Sequence, residues 1–198
     1  MKPWLVIMLK EPRPGRVKTR LGRDIGLVPA AWWFRHQAGS LIRRLQDPRW
    51  DLVLAVSPDR EGMLSRVWPA HLRRMPQGRG DLGERMARAL RCGHGPVCII
   101  GADIPGILPA HIARAFTALG GADVVFGPAP DGGYWLIGSR HPRCLPSTLF
   151  KGVRWSTEHA LDDTAASLGN ARVAYVDVLR DVDEARDLTM TAPGARAT

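Results

Sequence analysis

Six short runs rich in Val, Ile and Leu punctuate the chain: WLVIML (4–9), DLVLAVS (51–57), PVCIIGA (96–102), ADVVFGP (122–128), YWLIG (134–138) and ARVAYVDV (171–178). Several are apolar throughout, which is the pattern of strands covered on both faces rather than on one. Between them lie apolar stripes at helical spacing. Ala31, Phe34, Ala38, Leu41, Ile42 and Leu45 make the first, and Leu82, Met86 and Leu90 the second. Ile112, Phe116 and Leu119 make a third, and Leu161, Ala165 and Leu168 a fourth. Strand and helix alternating in this way predict an α/β fold, a mainly parallel sheet with helices on both faces. With 198 residues, 45% of them hydrophobic, one core suffices. We expect a single domain over 1–190 and a flexible tail, TAPGARAT, over 191–198. No repeat of 20–50 residues interrupts this reading.

The formal charge is +9, yet the 24 arginines are spread along the whole chain among 19 acids. A nucleic-acid binder gathers its positive charge in a tail or on one face, so no nucleic-acid partner is expected. The same field suits a small phosphorylated ligand, because the guanidinium fork matches phosphate oxygens. Cys92, Cys98 and Cys144 form neither a disulfide framework nor a CxxC knuckle, which points to a reducing, cytoplasmic setting. The opening MKPWLVIMLKEPRPG is too short an apolar stretch to cross a membrane and reads as a first buried strand. The six histidines show no ligand spacing.

Ligands of open α/β sheets sit beyond the carboxyl ends of the strands, which directs attention to 10–20, 103–105, 128–134 and 179–183. The loop KEPRPGRVKTRLG (10–22) carries Lys10, Arg13, Arg16, Lys18 and Arg20 around Gly15, a set able to bond a diphosphate. It contains neither GxxxxGK[ST] nor GxGxxG. In GADIPGILP, Asp103 ends an apolar run. It is either an Asx turn bonded to its own backbone or a carboxylate ligand for a hard ion such as Mg²⁺. In GPAPDGGYWLIG, Asp131 is either a turn former or a base facing a substrate that Gly132, Gly133 and Tyr134 contact. Asp181 and Asp183 share one side of an extended segment and suit a metal, while Asp183 also suits the N-cap of a last helix. In VRWSTEHAL (153–161), Ser156 or Thr157 is expected to cap a helix, and Trp155 reads as core or as a wall of an acceptor pocket.

Taken in order, KEPRPGRVKTRLG, GDLGERM (80–86), GADIPGI, GPAPDGGYWLIG, RWST and RDVDEARDL resemble the bacterial DUF2064 family. That family is also described as a GT-A type, arsenosugar-biosynthesis-associated glycosyltransferase family. It is similar in fold to the molybdenum-cofactor and 2-phospholactate guanylyltransferases. The resemblance implies a single GT-A, Rossmann-like domain of the nucleotide-diphospho-sugar transferase superfamily. It implies a metal-dependent glycosyltransferase with a nucleotide-diphospho-sugar donor, a small-molecule acceptor and Mg²⁺ or Mn²⁺. It places Gly15, Lys18 and Arg20 on the nucleotide phosphates and makes Asp103 the metal aspartate. The related guanylyltransferases add Asp181 and Asp183 as metal ligands. Asp103 stands alone where many glycosyltransferases carry DxD, which keeps nucleotidyl transfer with pyrophosphate release as an alternative. A non-catalytic nucleotide-binding module is the second alternative.

Overall fold

The structure is a computed structural model that describes residues 2–180 together with 182 and 187. Asp181, Asp183 and the segment 191–198 lie outside the described residues, and with them the expected final cap and tail. Among the described residues seven strands form one sheet: β1 (Trp4–Lys10), β2 (Asp51–Ser57), β3 (Arg73–Pro76), β4 (Val97–Ile100), β5 (Val124–Pro128), β6 (Tyr134–Ser139) and β7 (Val173–Tyr175). Among residues 2–180 six α-helices accompany them: α1 (Thr19–Ile25), α2 (Leu27–Arg44), α3 (Asp59–Leu64), α4 (Leu82–Arg91), α5 (Pro109–Ala118) and α6 (Ala160–Ser167). The strand order is β3-β2-β1-β4-β6-β5-β7. All neighbours pair in parallel except around β6, which runs antiparallel to both β4 and β5.

Alternate side chains of the central strands leave on opposite faces, so an all-apolar strand feeds two cores. Leu5, Ile7 and Leu9 of β1, with Leu52, Leu54 and Val56 of β2, pack under the apolar stripe of α2 and under Ile112 and Ala115 of α5. Val6, Val53, Ala55, Val97 and Ile99 face the other way and meet Met86, Ala87 and Leu90 of α4 and the α6 stripe. Helices therefore cover both faces. Val97–Ile100, four residues buried throughout, could not be placed anywhere but the middle of such a sheet.

Two connections place the site. From β1 the chain goes outward through β2 to β3 on one side, while β4 lies on the other side of β1. The loops that follow β1 and β4 therefore splay apart and leave a crevice between them. The reversed strand β6 then begins, at Tyr134, on the same edge where β4 ends, since Ile100 pairs with Leu136. This reversal delivers Tyr134 and Trp135 to the crevice.

Candidate active site

The crevice holds a cavity of about 470 Å³. Lys10, Arg16, Lys18 and Arg20 from the segment after β1 line one side, Gly101 and Asp103 after β4 another, and Gln77, Leu82 and Met86 a third. Tyr134 and Trp135 close it. A second chamber of about 240 Å³ shares Leu82, Met86, Gly101, Asp103, Tyr134 and Trp135 with the first. It continues past them to Asp131, Gly133, Trp155, Ser156 and Thr157. Asp103 is the carboxylate common to both chambers.

The basic segment is held from two sides. Val17 is buried and pins it to the core, while Arg13 and Arg16 reach Glu61 of α3 at 3.0 and 3.5 Å. Lys18 caps α1 in a left-handed conformation, φ 45°, and its side chain is only 7% exposed. Its Nζ lies 2.8 Å from Oδ2 of Asp103, whose side chain is 32% exposed. Of the five basic residues named from the sequence, Lys10, Arg16, Lys18 and Arg20 face the ligand space, and Arg13 serves the loop. Arg13 does not line the cavity, and neither does Gly15, which is exposed and supplies the turn with φ +77°. Lys18 and Arg20 do line it.

Of the two readings of Asp103, the Asx turn does not form around the carboxylate. Its partner is Lys18, across the crevice, and not an amide of its own turn. The main-chain N–H of buried Val182 donates to the Asp103 carbonyl at 3.2 Å, so the residue between Asp181 and Asp183 is tied to Asp103. A carboxylate oxygen on a cavity wall fits a hard divalent cation. Among the described residues no group of three or more His, Cys, Asp or Glu is placed to hold one.

Asp131 behaves differently. Its Oδ1 accepts the Gly133 N–H at 3.0 Å, an Asx turn, inside a tight reversal in which Gly132 N–H donates to Ala129 O and Ala129 N–H to Gly133 O. Gly132 has φ +82°, and a Cβ there would lie 2.1 Å from Glu158 O. Leu161 N–H donates to Gly132 O, so the turn is the seat on which the chain before α6 rests. Gly132 is absent from both chamber walls. Tyr134 turns its hydroxyl toward Thr164 of α6 at 3.4 Å and offers the chambers its ring. Burial raises its phenol far above the usual value, only partly countered by the Thr164 contact. Trp135 donates its Nε1–H to Asp177 O at 2.8 Å.

The helix start expected at Ser156 or Thr157 is corrected: α6 begins at Ala160 and its N-cap is His159, with no side-chain cap. The Thr157 hydroxyl instead donates to Arg154 O and accepts the His159 N–H. Ser156 adopts φ 60°, and the pair forms the rim of the second chamber. Arg154 holds this rim to α6, donating from its main chain and guanidinium to Asp163 at 2.9–3.0 Å. The Arg154 hydrogen bonds hold the Asp163 carboxyl down at about 2. Trp155 packs on Phe150 and lines the chamber.

One lining residue carried no signal in the sequence. Gln77 follows β3, a strand with no apolar run to announce it, and had β3 been recognised the rule of looking past each strand end would have selected it.

The sheet, with its crevice at the β1–β4 switch and its reversed strand, is the GT-A, Rossmann-like architecture of nucleotide-diphospho-sugar transferases. Residues 41–157 match the family described as an uncharacterized protein conserved in bacteria (DUF2064), and the chain belongs to that family. It is similar to the crystal structure of a provisionally described nucleotide-diphospho-sugar transferase from Desulfovibrio desulfuricans G20. The two share 29% identity over 98% of this chain and 90% of the other, with a TM-score of 0.86. The fold is shared with a CMP:2-keto-3-deoxy-manno-octonic acid synthetase complexed with CTP (12% identity, 96% of each chain, TM-score 0.58). It is shared also with a Mycobacterium tuberculosis H37Rv protein in complex with manganese (15% identity, 96% of this chain and 98% of the other, TM-score 0.55). No curated protein sequence matches the chain. No helix among the described residues is long and apolar enough to cross a membrane.

Proposed function

We propose that the protein is a metal-dependent glycosyltransferase that moves a sugar from a nucleotide-diphospho-sugar to a small-molecule acceptor. The observation that carries this reading is the pair of chambers meeting at Asp103, one walled by cations and the other by aromatic rings and hydroxyls. The name of the Desulfovibrio desulfuricans relative supports a nucleotide-sugar-using transferase. In this reading Arg16, Lys18 and Arg20 bond the donor diphosphate, and Lys18 exchanges its Asp103 partner for a phosphate oxygen. Asp103, with Asp181 and Asp183, holds a divalent cation, which supplies charge stabilisation to the departing nucleoside diphosphate. The manganese complex of the Mycobacterium tuberculosis fold relative and the Val182 tie to Asp103 support that set.

The acceptor enters the second chamber. One oxygen of Asp131 is fixed in the Asx turn, and the other takes the proton of the attacking hydroxyl. Tyr134 and Trp135 stand between the chambers and exclude water from the transfer. The buried Tyr134 phenol keeps its proton at neutral pH, so it serves as a wall and not as a base.

The experiment is product analysis with Mn²⁺, offering nucleotide sugars in one arm and nucleoside triphosphates in the other. Release of nucleoside diphosphate from a nucleotide sugar supports the proposal. Release of pyrophosphate from a triphosphate supports nucleotidyl transfer, the reading favoured by the lone Asp103 of GADIP and by the synthetase among the fold relatives. Nucleotide binding without turnover leaves a non-catalytic module.

A further inference from the structure

The chain carries 28 Lys and Arg against 19 Asp and Glu, yet its two chambers divide that charge unevenly. Lys10, Arg16, Lys18 and Arg20 line the first. Among the described residues no Lys, Arg or His lines the second, whereas two carboxylates do, Asp103 and Asp131. The guanidinium of Arg154, behind the rim, is spent on Asp163 at 2.9 Å.

Main-chain amides can stand in for missing cations when they point at an anion. Around the second chamber they have other partners. Gly133 N–H donates to Asp131 Oδ1, and the N–H groups of Ala129 and Gly132 close the reversal. At the start of α6, Ala160 N–H donates to Thr157 O and Leu161 N–H to Gly132 O, and Asp162 and Asp163 occupy the first turn. An anion entering here would give up its hydration and meet fixed negative charge.

The remainder of the wall suits a ring. Tyr134 turns its hydroxyl to Thr164 and Trp135 its Nε1–H to Asp177 O, so both show the chamber ring surface. Trp155, packed on Phe150, adds a third ring. Aromatic faces stack on other rings, attract cations and repel anions. At about 240 Å³ against about 470 Å³ for the first chamber, the space admits a compact body. Asp131 Oδ2 accepts no hydrogen bond from a described residue, and an acceptor atom of that kind calls for a ligand hydroxyl.

We infer that the second chamber takes a compact, ring-bearing alcohol without an anionic group, and that it excludes acceptors carrying a phosphate, sulfate or carboxylate. This inference rests on the two-chamber reading of the proposed function and deepens it by naming the acceptor class. In the transfer, the acceptor oxygen bonds the anomeric carbon while the carbon's bond to the diphosphate oxygen breaks. That electron pair leaves with the nucleoside diphosphate, and the hydroxyl proton passes to Asp131.

The test compares three phenols of one shape: uncharged tyrosol, cationic tyramine and anionic 4-hydroxyphenylacetate. Their affinities for the full-length protein are measured by ligand-observed NMR at neutral pH, with inorganic pyrophosphate present to occupy the cations of the first chamber. Tyrosol and tyramine should bind, and 4-hydroxyphenylacetate should bind about tenfold or more weakly than tyrosol. Ser156→Lys, checked by thermal unfolding, places a cation on the wall. It should recover about tenfold for 4-hydroxyphenylacetate, weaken tyramine and leave tyrosol unchanged. Equal affinities for tyrosol and 4-hydroxyphenylacetate in the natural protein overturn the inference, and so does absence of binding by all three. Because no nucleotide is present, the expected order found beside a failed glycosyl product analysis withdraws the transfer and keeps the chamber's preference.

Discussion

The turns at Asp103 and Asp131 look alike in the sequence, each a carboxylate close behind an apolar run and close to glycine. In the fold they are opposites. Asp131 bonds its own turn, with Gly133 N–H on its Oδ1, and the turn is locked under Glu158 and Leu161. Asp103 spends its carboxylate on Lys18, 85 positions earlier in the chain, and receives the Val182 N–H on its carbonyl. A local carboxylate shapes a turn, whereas one whose partners come from distant segments joins the pieces of a site. Asp103 therefore stands at the junction of the chambers, and one oxygen of Asp131 is held in its own turn; the proposed function gives the other oxygen to the chemistry.

The largest effect should appear at Asp131. Asp131→Asn keeps an oxygen for the Gly133 N–H but cannot take a proton, so turnover on a confirmed acceptor should fall by about 10²–10⁴. Donor affinity, measured by calorimetry, should be unchanged. Full turnover would reduce Asp131 to a turn former and make the contrast with Asp103 complete.

Next comes Gly132→Ala, which places a methyl 2.1 Å from Glu158 O at φ +82°. Strain and displacement together should cost about 3 kcal/mol in chemical denaturation. The loss should open the second chamber without weakening nucleotide binding in the first. A variant as stable as the parent would show that the 158–161 segment does not rest on this turn.

On the Asp103 side, Lys18→Ala should weaken binding of a nucleoside diphosphate by about 1.5–3 kcal/mol, the range for hydrogen bonds to charged groups. Arg13→Ala should do far less, since Arg13 reaches Glu61 and not the cavity. Equal losses for the two would mean that the loop acts through net charge alone.

The smallest effect concerns pH. The folded-state carboxyl of Asp163 is depressed to about 2 by Arg154, below its ordinary value near 3.8. Its contribution is therefore complete above the ordinary value and lost as pH falls through about 2. The Trp155–Thr157 rim should keep its shape from neutral pH down to about 4, followed by Trp fluorescence, and Asp163→Asn should abolish the acid step.

Much of this fold was legible because burial on two faces leaves so plain a mark. The run DLVLAVS is β2 without a residue added or lost, and the α2 stripe lies on its helix. The edge strand β3 left no such mark. Arg73-Arg74-Met75-Pro76 pairs on one side only, and Arg74 is there to bond the carbonyls of Gly62, Met63, Ser65 and Trp68. The helices α1 and α3 span seven and six residues, too few turns to show a period. The direction of β6 is set by its neighbours, which no local pattern records. At the site, the sequence named Lys18, Arg20 and Asp103 from their place after strands. It could not show that Lys18 and Asp103 touch, that Gly15 stands aside, or that Gln77 lines the cavity, because each depends on which strands become neighbours.

The measurement closest to the center of this account is Mn²⁺ binding by calorimetry, with a saturating nucleoside diphosphate present, in the natural protein and in Asp103→Asn. The substitution keeps the shape of the side chain and removes its charge. If Asp103 is the carboxylate on which both chambers converge, Mn²⁺ binding is lost while the diphosphate still binds to the cations of the loop. Unchanged Mn²⁺ affinity would contradict the account and leave Asp103 as nothing more than the counter-charge of Lys18.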